Sequence, residues 1–238
     1  MCFSKPITSL LLLTCFLFLH AVLGFVPTHE CLGFKKFNIK DPYETNLNEL
    51  MNNLTKETPP TGFGLGSKGQ GQDTTYGLAL CFGYISPKDC MSCLTNARNE
   101  IHPLCPYSKG AVVWYSFCLL KYSNENFFGQ IDKQIHSRIT ENENVSDPVS
   151  FSQKTNSFLM QLANNASVAP KMQAERSISF GEKDVIDMIA ACTRDLSSVD
   201  CAECLRNCIA EFPKCCAGKK GAYCYSASCV AGYELIIF

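Results

Sequence analysis

The residues best equipped for chemistry in this chain are its cysteines, and they occur twice in one order. Cys81, Cys90, Cys93, Cys105 and Cys118 give the spacing C-x8-C-x2-C-x11-C-x12-C. Adding 111 to each number reaches Cys192, Cys201, Cys204, Cys216 and Cys229 without a gap. Thiols in that pattern could hold zinc, exchange electrons or close disulfides, and each chemistry needs different surroundings. A four-cysteine zinc site accepts a C-x2-C knuckle, but the partner knuckle at the far end is missing here. A redox C-x-x-C needs an accessible thiol of low pKa. Asp89 and Asp200 stand directly before Cys90 and Cys201 and oppose the thiolate. Disulfides need only an oxidising compartment.

The N-terminus points to that compartment. Lys5, an apolar run over residues 10–19, and the small residues Ala21 and Gly24 form a secretory signal peptide over residues 1–24. The run falls short of the roughly 20 apolar residues of a membrane span. No second apolar run follows, so the expectation is a secreted, extracellular protein with no membrane span. Cleavage removes Cys2 and Cys15 from the 16 cysteines and leaves 14, which then read as a disulfide framework. Three sequons, Asn53-Leu-Thr55, Asn144-Val-Ser146 and Asn165-Ala-Ser167, are glycosylation candidates on the same route.

Other chemistries find little support. With 21 basic and 22 acidic residues the chain has no basic footprint for nucleic acid. Gly64-Leu-Gly66-Ser-Lys-Gly69 spells a dinucleotide fingerprint, but it leads into a strand rather than opening a helix, so it reads as a hairpin turn. Beyond the signal peptide the histidines are His29, His102 and His136, with no H-E-x-x-H or G-x-S-x-G context. No catalytic residue, metal or cofactor is expected. Trp114, Tyr115 and Phe117 make an aromatic strand, read as core or domain–domain packing before a sugar platform.

The elements that position the cysteines follow from periodicity. Leu47, Leu50, Met51 and Leu54 share a helical face, and Pro59 and Pro60 end that helix. A glycine-rich pair of strands follows, ending at Cys81. Ser86-Pro87-Lys88-Asp89 starts a second helix, and Ser197-Ser198-Val199-Asp200 repeats the device. Two further strands are expected over 112–117 and 118–122, and over 223–227 and 229–237 in the second copy. The fold class is α+β: two tandem modules, each an antiparallel β-sheet with two helices packed on one face, stapled by disulfides. The boundaries are residues 25–126 for repeat one, 127–147 for the linker and lead-in, and 148–238 for repeat two.

The doubled C-x8-C-x2-C, with Gly110-Ala111-Val112-Val113-Trp114-Tyr115 and Tyr233-Glu234, resembles the plant cysteine-rich repeat secretory proteins built from two ginkbilobin-homologous domains. The same tandem forms ectodomains of cysteine-rich receptor-like kinases. The resemblance implies the pairs Cys31–Cys105, Cys81–Cys90 and Cys93–Cys118 in repeat one, and Cys192–Cys201 and Cys204–Cys229 in repeat two. Cys216 matches Cys105, but the offset of 111 puts Asn142 opposite Cys31. Cys208, Cys215, Cys216 and Cys224 are left over; a Cys208–Cys224 bridge would leave Cys215 with Cys216. The family's ginkbilobin lectin binds mannose through Asn, Arg and Glu. At those positions repeat one has Leu32, Val112 and Ser123, so the family's Asn, Arg and Glu side chains are all replaced there. Repeat two offers Tyr223 and Glu234, with the third position unmarked. The resemblance implies a non-enzymatic apoplastic protein of defence or stress response. Its partner would be a cell-wall or fungal glycan or an extracellular receptor protein, and the alternative is an interaction module that takes no sugar.

Overall fold

The computed structural model describes residues 27–237 apart from Tyr84, Ser116 and Glu182. The signal-peptide expectation, with Cys2 and Cys15, lies outside the described residues. Each copy folds as a five-stranded antiparallel sheet with helices on one face. The first contains β1 (Thr28–Cys31), α1 (Pro42–Glu57), β2 (Phe63–Lys68), β3 (Thr75–Cys81), α2 (Pro87–Leu104), β4 (Gly110–Trp114) and β5 (Cys118–Ser123). The second contains β6 (Ser137–Thr140), α3 (Pro148–Val168), β7 (Gln173–Phe180), β8 (Asp184–Cys192), α4 (Ser198–Ile209), the one-turn α5 (Phe212–Cys215), β9 (Gly221–Tyr225) and β10 (Cys229–Ile236). Strand orders are β1-β4-β5-β3-β2 and β6-β9-β10-β8-β7, one topology used twice.

Local signals explain the helices. In α1 the apolar stripe Tyr43, Leu47, Leu50, Met51 and Leu54 is buried. It lies close on β3, because a Cβ at Gly77 would run into Leu50, Leu54 and Met51. At the start of α2 the Asp89 N–H donates to Ser86 Oγ at 3.2 Å, and the Ser86 hydroxyl donates to the Asp89 carboxylate at 2.6 Å. Ser197 and Asp200 reproduce both bonds at 3.1 and 2.6 Å. Such a cap contributes about 1 kcal/mol.

Side chains alternate across each sheet, and both faces are covered. Ala79, Cys81, Ala111, Val113 and Leu120 face the helices of copy one. Their neighbours Leu78, Leu80, Val112, Trp114 and Leu119 face copy two, where Ala191, Tyr225, Ala227 and Val230 meet them in a shared core. The two sheets are therefore packed face to face, with the helices outside. Trp114 is fully buried in this core, and its Nε1–H donates to the Ser226 carbonyl at 3.1 Å. Burying a side chain of this kind contributes on the order of 2 kcal/mol. The connecting chain seals one side: the Asp132 N–H donates to Ser228 Oγ at 2.9 Å, and the Ser226 hydroxyl to the Asp132 carbonyl at 2.8 Å.

Three boundaries differ from the periodicity. β4 ends at Trp114, so Phe117 belongs to the β4–β5 turn and is 53% exposed. The second helix of copy two stops at Ile209, and Phe212 opens α5 with Pro213 in its first turn, where a missing N–H costs nothing. The offset of 111 also fails at the edge strands. Cys31 pairs with Ala111 in β4, and Thr140 pairs with Ala222 in β9. The register equivalent of Cys31 is therefore Thr140, not Asn142, because copy two carries two more residues between these strands.

Candidate functional site

On the inner face of sheet two, rows of side chains run from the shared core outward. The row nearest the core contains Tyr225, Val230 and Ala191; the next contains Ile139, Tyr223, Gly232, Ile189 and Glu175; the outermost contains Glu234 and Asp187. Apolar contact thus gives way to carboxylates within one sheet face. At the acidic end the two sheets part, and adjoining clefts of about 450 and 390 Å³ open there, sharing Phe117, Tyr223 and Glu234.

Tyr223 is the floor. Its ring lies over Gly232, the residue it pairs with on β10, where any Cβ would strike the ring. It also stacks on Tyr225, with centroids 6.3 Å apart and planes 18° apart. The Tyr223 hydroxyl donates a long hydrogen bond to Glu234 Oε2 at 3.4 Å. Burial, then the Glu234 carboxylate, pushes the phenol pKa upward, so it stays a neutral donor. Phe117 comes from copy one and forms the opposite wall, together with Phe82 and Ile85.

The sequence left a third position in repeat two unmarked, and the register supplies it. The Leu32 N–H donates to the Gly110 carbonyl, and the Glu141 N–H donates to the Gly221 carbonyl, which are equivalent bonds of 2.8 and 2.9 Å. Glu141 therefore occupies the Leu32 position and lines the same cleft as Tyr223 and Glu234. Burial, then the neighbouring Glu234 and Glu143 carboxylates, raises its pKa, partly offset by Lys220. Across the cleft burial, then Asp187, raises the Glu175 pKa, and Glu175 Oε1 is buried without a hydrogen-bond partner. The site is an aromatic floor between carboxylates, with Arg176 at its edge and its guanidinium 4.7 Å from the Phe158 ring. Glu141, Glu175 and Asp187 were not singled out from sequence, because only register across strands joins them; Phe117, read from sequence as packing before a sugar platform, is exposed on the β4–β5 turn and lines both clefts.

The counterpart surface in copy one is closed. Val112 is fully buried, and Ser123 Oγ accepts the Glu125 N–H at 3.0 Å. Lys121 stands where copy two has Gly232, buried in the shared core with Nζ 4.2 Å from the Phe127 centroid.

The structure bonds Cys31 to Cys105, Cys81 to Cys90 and Cys93 to Cys118, with Cα separations of 5.4, 5.7 and 6.1 Å. Copy two has Cys192–Cys201 and Cys204–Cys229 at 5.7 and 6.1 Å, Cys208–Cys224 at 5.5 Å, and adjacent Cys215–Cys216 at 3.8 Å. Among the described residues no group of three or more His, Cys, Asp or Glu could hold a metal ion. Asn53, Asn144 and Asn165 are all exposed; Asn53 and Asn165 lie on helices α1 and α3, and Asn144 lies in an irregular segment. No helix among the described residues is long and apolar enough to cross a membrane.

A doubled cysteine-stapled sheet with an open face on one copy defines a tandem cysteine-rich repeat. The chain belongs to the salt stress response/antifungal family, whose model matches residues 30–125 and again 137–235. It is 43% identical to an antimicrobial ginkbilobin-2-like protein of Castanea crenata, over 99% of this chain and 98% of that one. It is 39% identical to cysteine-rich repeat secretory protein 38 of Arabidopsis thaliana, over 88% and 84%. Its fold matches the tandem DUF26 ectodomain of the Arabidopsis thaliana cysteine-rich receptor-like protein PDLP8 with a TM-score of 0.75. That match has 22% identity and covers 89% of this chain and 97% of that one.

Proposed function

We propose that this is a secreted, non-enzymatic protein of the plant apoplast acting in defence or stress response, and that it binds an extracellular glycan or protein in the cleft of copy two. The observation that carries the reading is Tyr223 laid flat over Gly232 between Glu234 and Glu141, open to solvent, while the equivalent face of copy one is filled. A flat aromatic ring offers an apolar face to a sugar ring, and carboxylates accept bonds from its hydroxyls. A shaped cleft with few polar groups is the ordinary form of a small-ligand site. The names of the relatives, an antimicrobial protein and a secretory protein, support the compartment and the defence role. Support for a non-catalytic role comes from the cysteines, since every described one is closed in a disulfide and none offers a thiolate.

A second reading, association with a receptor ectodomain without any sugar, is favoured by the charge of the cleft. Four carboxylates, Glu141, Glu175, Asp187 and Glu234, line the two clefts, while the one guanidinium at their edge, Arg176, is turned to the Phe158 ring on the helix side. Such a surface suits basic side chains of a protein partner. A screen of the purified protein against a glycan array and immobilised plant receptor ectodomains tests both. Binding to an array glycan favours the first reading, and ectodomain binding with a blank array favours the second. Turnover of a bound glycan would overturn the non-enzymatic assignment.

A further inference from the structure

We infer that Cys215 is a thiol-exchange site: a small extracellular thiol of the glutathione class opens the Cys215–Cys216 bridge and remains on Cys215 as a mixed disulfide. The pair exists because one staple is missing. In copy one Cys105 is tied to Cys31 on the edge strand. In copy two Cys216 keeps the place and the burial of Cys105, but Thr140 stands at the register of Cys31 and has no sulfur. Cys216 is bonded instead to its own neighbour.

Three features separate this bridge from the other six. Among the fourteen described cysteines Cys215 alone is exposed, so an incoming thiol has one open sulfur to attack. A peptide bond fixes the Cα atoms 3.8 Å apart, below the span of about 4.4–6.8 Å within which ordinary bridges, including the other six, fall, and departures from it make a bridge more reducible. The bridge also encloses no intervening residue, so it contributes essentially nothing through loop closure. The local backbone is held by other means. The Cys215 and Cys216 N–H groups donate to the carbonyls of Glu211 and Phe212 at 3.1 and 2.9 Å, and the Cys216 carbonyl accepts the Lys219 N–H at 3.1 Å. The Tyr233 hydroxyl also donates to that carbonyl at 3.3 Å. Opening the ring leaves all of these in place.

The exchange is balanced. The incoming thiolate sulfur bonds to Cys215 Sγ, and the Cys215–Cys216 sulfur–sulfur bond breaks. The electron pair leaves on Cys216 Sγ, which takes up the proton surrendered by the incoming thiol. The external thiol is oxidised to the disulfide level and Cys216 is reduced to a buried thiol, so no further oxidant is needed.

The test is exposure of the native, non-reduced protein to reduced glutathione, followed by acid quenching and disulfide mapping by mass spectrometry. The expected result is a mass gain of one glutathione per chain, located on Cys215, with a free thiol at Cys216 and six bridges intact. No adduct at Cys215, or adducts at Cys31 or Cys93 to the same extent, would overturn the assignment. A Cys215→Ser protein, whose Cys216 is a free buried thiol, is exposed instead to oxidised glutathione, the disulfide with which a free thiol can exchange, and is expected to take up none; an adduct on Cys216 in that variant would equally overturn the assignment. The wild-type map decides the matter without the variant if the variant does not fold.

Discussion

Trp114 of copy one packs against Tyr225 of copy two, with ring centroids 6.0 Å apart, and the two residues occupy the same position in the repeat. When equivalent residues meet, the surfaces are joined about a local two-fold relation, as in a symmetric dimer. The two modules thus behave as a dimer fused into one chain, and the joint is a shared hydrophobic core. That arrangement leaves one end of the sheet pair open, and the cleft lies there.

Replacing Trp114 by Ala should therefore strike the joint. Large-to-small changes of this kind in a buried core cost about 3–5 kcal/mol, and the Ser226 carbonyl loses its donor as well. Combined with Tyr225→Ala, the loss should be less than the sum of the two single losses, because the rings share one contact. Chemical denaturation of the two single variants and the double variant measures this.

The bridges should differ sharply in worth. Cys93–Cys118 and Cys204–Cys229 each close a sequence separation of 25 residues. Replacing either pair with serine should cost about 3 kcal/mol. Replacing Cys215 with serine and the buried Cys216 with alanine should cost much less, since no loop is closed and no hydroxyl is buried. Denaturant midpoints of the three variants give the comparison.

Glu175 should make stability fall as pH rises. Burial and Asp187 raise its folded pKa above the unfolded value. The folded state therefore binds its proton more tightly, and no penalty exists below the unfolded pKa. A penalty builds as pH rises through the window between the unfolded and the folded pKa, and is complete above the latter. Glu175→Gln removes that titration. Its melting temperature should exceed wild type at neutral pH, and the gain should disappear in acid; a gain independent of pH would contradict the assignment.

Gly232→Ala should displace the Tyr223 ring without unfolding the module. The added Cβ meets the ring itself, while the rest of β10 keeps its pairing with β8 and β9. The expected outcome is loss of ligand binding with a retained circular dichroism spectrum.

Much of this architecture is legible in the cysteine spacing and the helix starts. The C-x2-C pairs mark the start of α2 and α4, and Ser86 and Ser197 cap them. The site is less legible, because it is assembled across strands. Glu141 is hidden because its edge strand has lost the cysteine that would fix the count, and only the bond from its N–H to the Gly221 carbonyl locates it. Phe117 reads as one more strand residue, since no glycine or proline marks the turn that carries it over the other copy. Val112 and Trp114 alternate as core residues in any sheet; that their core belongs to two modules at once follows only from the fold.

The most direct test of the proposed cleft is the affinity of a ligand found by the glycan or ectodomain screen for wild type, Glu234→Ala and, as the copy-one control, Ser123→Ala. A binding site centred on Tyr223 and Glu234 predicts at least a tenfold loss for Glu234→Ala, about 1.4 kcal/mol, with Ser123→Ala unchanged. Equal affinity in all three proteins would place the ligand elsewhere and contradict the account.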